Sequence, residues 1–176
     1  MLRKRGVAGY LSSTSRVYEV YVEDVASTKY ICLHNQKLVH VKEPLSACEK
    51  LYGEIPYERV VEFIDLENAV PRKDILVLDE DPSLLEFPGF LIEKNTQLCL
   101  QEVRGRFIYF LVSEGSQVKR GDIIAYHVTG KFEVRNVKSR CEGQVALIVD
   151  MPWETPRKSL VVVTSECRRV TVEKSA

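Results

Sequence analysis

An excess of charge of either sign is missing from this chain. Among 176 residues, 25 Lys and Arg balance 25 Asp and Glu, so the net charge at neutral pH is zero. A protein that coats nucleic acid usually carries a basic excess, so that class is not expected, although a local basic patch is not excluded. Long apolar runs are missing too. The longest are residues 107–112 and 145–149, far short of the roughly 20 residues a spanning helix needs. Arg3, Lys4 and Arg5 are followed by no apolar stretch of the secretory kind, which makes a cytoplasmic protein the expectation.

Closely spaced cysteine pairs are also lacking. The five cysteines, Cys32, Cys48, Cys99, Cys141 and Cys167, are odd in number and form no Cys-x-x-Cys pair. Zinc fingers and redox dithiols need closer spacing. The expectation is five buried free thiols and no disulfide. Asn (four) and Gln (five) are scarce, a lean toward a thermophilic source. No nucleophilic triad signature and no phosphate-cradling glycine loop is present, so a free-standing enzyme is not expected.

What the chain does have is 45% apolar residues, enough for a real core. Period-two alternation and β-branched runs dominate, so the fold class is all-β. Strands are expected at residues 17–22, 60–64 and 75–78. A hairpin, 30–33 with 38–41, closes over His34, Asn35, Gln36 and Lys37. One short helix is expected over residues 44–52, with Pro44 at its first position and Gly53 as its C-terminal cap. Asp79, Glu80 and Asp81 before Pro82 read as a solvated turn. Phe87-Pro88-Gly89-Phe90 breaks the pattern and marks a candidate boundary. The expected organisation is an irregular N-terminal β unit over residues 1–88, a barrel over 89–164, and a C-terminal strand or tail over 165–176. Barrel strands are expected at 97–103, 107–112, 123–128, 132–137, 144–149 and 160–164. Residues 107–112 are apolar at every position, which reads as a strand buried on both faces.

The most informative stretch runs from Gly105 through Glu114-Gly115-Ser116-Gln117-Val118-Lys119-Arg120-Gly121-Asp122 to Ala125. It reads as strand, turn, short link, turn, strand. Gly115 and Gly121 sit where the chain must reverse. Val118 plugs an interior, and Asp122 braces the second turn. Thr129-Gly130-Lys131-Phe132-Glu133 then forms a hairpin tip, and Gly143 lies on the return strand.

This segment resembles the biotinyl/lipoyl-carrier family, whose members show an apolar strand, Glu-Gly-x-x-Val-x-x-Gly-Asp, and a second apolar strand. The resemblance covers about 60 residues and implies a barrel-sandwich hybrid fold. It places Lys131 on, or within one residue of, the lysine that such domains modify with lipoyl or biotin. The flanks depart from the family: Gly130 and Phe132 stand where lipoyl domains carry Asp and Ala and biotinyl domains carry Met. The whole chain, through the same segment and Pro152-Trp153-Glu154-Thr155-Pro156, also resembles an uncharacterised archaeal family that ends in such a barrel.

Four sites follow. Lys131 is a candidate attachment site, or an ordinary polar residue at an exposed tip. Thr129, Gly130, Phe132 and Glu133 are candidate partner contacts, with Phe132 as the anchor. Arg104, Arg106, Lys119, Arg120, Arg135, Lys138 and Arg140 make the barrel locally basic, but Phe107 and Tyr109 alternate into a strand that reads as buried, so no base-stacking platform is expected. Cys32, His34 and His40 share one face only if the hairpin loop has odd length, so no metal site is expected, and His127 reads as structural. The expected function is a non-catalytic interaction or adaptor module with no attached cofactor and a protein partner, and no membrane or nucleic acid. The alternative is a carrier bearing lipoyl or biotin on Lys131.

Overall fold

Residues 17–175 are described by the structure, a computed structural model. Arg3, Lys4 and Arg5 lie outside the described residues. The chain is nearly all β. Its first strands are β1 (Tyr18–Glu23), β2 (Tyr30–His34), β3 (Lys37–Val41) and β4 (Lys50–Ile55), followed by a 3-10 helix (Tyr57–Phe63). The short strands β5 (Ile64–Asp65) and β6 (Val70–Pro71) pair with each other, and β7 (Ile75–Asp79) and β8 (Glu86–Ile92) follow. Next come β9 (Cys99–Arg104), β10 (Phe107–Phe110), β11 (Gln117–Val118), β12 (Ile123–Val128) and β13 (Val134–Lys138). The last are β14 (Gly143–Met151), β15 (Lys158–Thr164) and β16 (Arg168–Glu173).

The closed barrel is N-terminal, in the unit expected to be irregular. Its order is β1-β4-β2-β3-β16-β8-β7, closed by β7 against β1. The C-terminal strand β16 completes it, antiparallel to β8 and parallel to β3. Residues 93–166 instead form two open sheets, β10-β12-β13 and β11-β14-β15-β9.

Alternation along the strands sorts side chains into three cores. Tyr21, Ile31, Tyr52, Leu76, Leu78, Leu91 and Val172 fill the barrel. Val20, Val22, Ile75 and Val77, on the other face of the same strands, pack against Leu147, Val149, Leu160 and Val162. Val103, Val118, Ile124, Val145, Val161 and Val163 lie between the two open sheets. Strands buried on both faces, among them β1, β7, β14 and β15, stand in the middle layers. The Tyr57 hydroxyl ties the halves together: it donates to the Glu114 carboxylate and accepts from the Ile148 N–H at 3.1 Å.

Several expectations are corrected. The helix over residues 44–52 does not form. Residues 50–55 are strand β4, wedged between β1 and β2. Gly53 is no helix cap but a close approach, since a Cβ there would lie 2.0 Å from the Val25 carbonyl oxygen. The helical turn falls instead on residues 57–63, where a strand was expected. Phe87-Pro88-Gly89-Phe90 lies within β8 and pairs with β16. Pro88 fits there because the ladder with β7 ends at Gly89, which leaves Pro88 paired on the β16 side alone. Glu80 is not solvated: it accepts hydrogen bonds from the Tyr21 hydroxyl and Lys29. Its side chain is only 10% exposed.

The cysteines are not all free. Cys32 bonds Cys48, and Cys99 bonds Cys141, with Cα separations of 5.4 and 5.8 Å. Both partners of each pair are distant in sequence, so only the fold brings them together. Cys167 is the free thiol, and burial pushes its pKa above the ordinary value.

Candidate binding face

The β10-β12-β13 sheet has one face in the core and one in water. Directly opposed residues on antiparallel strands share a face, and the register gives two outward rows. One is Phe107, Val128 and Val134; the other is Tyr109, Tyr126 and Asn136. Ile108, Phe110 and Val137 point the other way, into the core between the open sheets.

Phe107 is 57% exposed, Tyr109 70% and Val134 68%, and Leu111, Ile123 and Tyr126 are also exposed. This overturns the expectation that residues 107–112 are buried on both sides. The other open sheet is covered on both faces, by this sheet and by the N-terminal barrel. The β10 sheet has a neighbour on one side alone, so its apolar outer face remains in solvent. A bulge between Ile123 and Ala125 breaks the alternation of β12, so that Ile124 and Ala125 are both buried while Ile123 is exposed.

The hairpin tip closes this face at one end. Thr129 N–H donates to the Glu133 carbonyl at 2.9 Å, and Phe132 N–H to the Thr129 carbonyl at 3.0 Å. The Thr129 hydroxyl accepts from the Glu133 N–H. Gly130 does not supply the left-handed residue; Phe132 does, at φ 61°, and its ring is 66% exposed. A bulky residue in that region carries strain. The Arg106 guanidinium lies 4.7 Å from the centre of the Phe132 ring, a cation–π contact. Lys131 is exposed beside it. Glu133 pairs with Arg135 at 2.8 Å.

The turn at the opposite end is built by Gly121 (φ 90°) and Asp122, whose carboxylate accepts the Lys119 N–H at 2.8 Å. Gly115 also has positive φ (85°). At Gly143 (φ 137°), a Cβ would meet the Thr164 carbonyl oxygen at 2.8 Å. Val118 is buried in the core between the open sheets.

A cleft of about 480 Å³ opens between the edge strands β9 and β13, lined in part by Arg104, His127, Asn136, Lys138 and Arg140. Gln101 bridges it, donating to the Lys138 carbonyl and accepting from the Arg140 N–H, both at 2.8 Å. The His127 Nδ1 is buried there without a hydrogen-bond partner.

The trio considered for a metal does not assemble. Cys32 is consumed in a disulfide. The His34 Nδ1 lies 2.9 Å from the Ala47 carbonyl oxygen. The two-residue turn at Asn35 and Gln36, both with positive φ, puts His40 opposite Ile31. Among the described residues no group of His, Cys, Asp and Glu could hold a metal ion.

Tyr126, Val128 and Val134 escaped the sequence reading. The signal that could have found them is pairing: once Tyr109 opposes Tyr126, both rings share a face. No helix of the described residues is long and apolar enough to cross a membrane. A search of curated proteins finds no match. A family model does match, over residues 15–166, and it is described as an uncharacterized protein conserved in archaea, DUF2118. A match over most of the chain places the protein in that archaeal family.

Proposed function

We propose that the protein is a non-catalytic interaction module that holds its partner on the outer face of the β10-β12-β13 sheet and the adjoining hairpin tip. The observation that carries this reading is the pair of exposed rows, Phe107-Val128-Val134 and Tyr109-Tyr126, ending at the strained and exposed Phe132. Contiguous aromatic surface of this kind marks an interaction site on a soluble domain. Each half-exposed ring, once covered, contributes on the order of 2 kcal/mol. In this reading Phe132 is the anchor, and Thr129, Gly130 and Glu133 shape its hairpin.

The Gly-x-x-Val-x-x-Gly-Asp resemblance supports reading the two open sheets as a barrel-sandwich hybrid of the biotinyl/lipoyl type. Lys131, exposed at the tip, supports a second reading as a carrier lysine bearing lipoyl or biotin. The Phe132 flank speaks against it, because a ligase acting on this hairpin would meet a bulky ring in a left-handed backbone.

The experiment is intact mass and affinity purification of the protein from its own source. The module reading expects an unmodified polypeptide and a partner whose recovery falls more with Phe132→Ala than with Lys131→Ala. A lipoyl or biotin adduct on Lys131 would replace the module by the carrier. Full recovery with Phe132→Ala would remove the tip as a contact.

A further inference from the structure

Resting on the module reading, we infer that the partner of this face is a single-stranded polynucleotide, its bases stacked on Phe107, Tyr109 and Tyr126 and its phosphates held by the cations around them. The absence of net charge hides a local imbalance. Residues 106–140 contain seven cations and three carboxylates. The carboxylates are engaged: Glu114 by Tyr57, Asp122 in its own turn, and Glu133 by Arg135. Among the described residues, Arg106, Lys119, Arg120, Lys131, Lys138 and Arg140 form no ion pair, whereas Arg135 on the same sheet is paired with Glu133.

These six cations fall at the two ends of the aromatic face. Arg106 and Lys131 flank the hairpin tip. At the other end, Gly121 N–H bonds the Ser139 carbonyl and Ser139 N–H bonds the Asp122 carbonyl, which sets Lys119 and Arg120 beside Lys138 and Arg140. The strand between them, Ile123 to Val128, spans about 17 Å at about 3.4 Å per residue. The cleft beside β13 has Lys138 and Arg140 on one wall and the Arg104–Glu102 ion pair on the other.

The charge decides among occupants. An isologous contact with a second copy would press these unpaired cations against themselves, which is unfavourable. A polyanion neutralises them. The rings then select the kind of polyanion. Phe107 and Tyr109 are two residues apart on one strand, about 6.8 Å, roughly twice the 3.4 Å rise of stacked bases. Each ring therefore receives a separate, splayed base, which a single strand offers and a duplex does not. The sheet face with outward aromatics and a cationic border provides both interactions that sequence-tolerant single-strand binding uses.

The test is fluorescence anisotropy with labelled oligo(U) and oligo(dT), with a duplex RNA and a poly-Glu peptide as competing probes. The proposal expects single-strand binding that weakens about fifty-fold on a fourfold rise in salt, if four phosphates are neutralised. Tyr109→Ala and Tyr126→Ala should each weaken it about five-fold or more, Tyr109→Trp should retain it, and Trp153→Ala, an exposed ring outside this sheet, should leave it unchanged. Oligo(U) and oligo(dT) together distinguish RNA from DNA as the source of the strand. Binding that survives Tyr109→Ala and Tyr126→Ala in full, or duplex bound as tightly as single strand, would overturn the proposal. Poly-Glu bound through the same tyrosines, with no oligonucleotide bound, would overturn the polynucleotide and leave the module. Self-association abolished by Tyr109→Ala would assign the face to a second copy and overturn it as well. Because both tyrosine rings are exposed, unchanged thermal melting of the variants separates lost binding from lost folding.

Discussion

Removing the Cys99–Cys141 bridge should lower stability by about 4 kcal/mol. The bridge joins β9 to the loop after β13, across 42 residues of sequence, and so crosslinks the two open sheets. Closing a loop of that length in the unfolded chain corresponds to about 4 kcal/mol at room temperature, against about 3 kcal/mol for the 16-residue separation of Cys32 and Cys48. Cys141 is buried at 1% exposure in the core between the sheets. Cys99→Ala with Cys141→Ala is therefore the cleaner perturbation, since serine would bury an unpaired hydroxyl. In a chain of this size, about 4 kcal/mol corresponds to a fall in Tm on the order of 10 °C. Denaturant midpoints of the oxidised parent, the reduced parent and the double variant measure it. The reduced parent should lose more than the double variant, because both bridges open. A thiol assay in denaturant without reductant should find one reactive cysteine, Cys167, and five after reduction. Five thiols without reductant, or equal midpoints for parent and variant, would refute the crosslink. Such bridges fit an oxidising compartment or a thermophilic cytoplasm.

Other outcomes follow from single positions. Gly53→Ala should destabilise by about 3 kcal/mol or more, because its Cβ would press on the Val25 backbone; a near-native melting temperature would show that the Val25 turn can move aside. Gly121→Val should cost about 1–3 kcal/mol from backbone strain alone, since φ is 90° and nothing lies within 4 Å of a Cβ there; chemical denaturation reads it. His40 has its pKa held below the ordinary value, first by burial and then by Lys29. Its folded pKa is thus below its unfolded one. The stability contributed by the neutral ring is present above about pH 6.5 and is lost as pH falls through the folded pKa. Comparing melting temperatures at neutral and mildly acidic pH, His40→Asn should lose less on acidification than the parent. Phe132→Ala should lower stability by no more than about 1 kcal/mol, because the ring is exposed and what it loses is an exposed cation–π contact with Arg106; a larger fall in the denaturant midpoint would show that the ring is structural.

The strand content was legible in the sequence because alternation is local. Residues 18–23, 75–79 and 123–128 form strands within a residue or so of where the pattern puts them, and the hairpin over Asn35 and Gln36 follows from its turn chemistry. The turns at Gly121 and Asp122 belong to the same local physics. What depends on which surfaces meet was not legible. Residues 50–55 carry helix-compatible neighbours, Pro44 before and Gly53 within, yet the gap between β1 and β2 makes them a strand. Tertiary pairing overrides so weak a propensity. The continuous apolar run of 107–112 looks like the run of 75–78, but only the second stands between two cores. Periodicity reports how many faces of a strand are apolar. It does not report how many faces another layer covers, and for β10 that number is one. The exposed aromatic face, the bridging of Cys99 to Cys141, and the closing of the N-terminal barrel by β16 all arise from contacts between residues far apart in the chain. Their free energy is realised only when the layers assemble, so no window of neighbouring residues carries it.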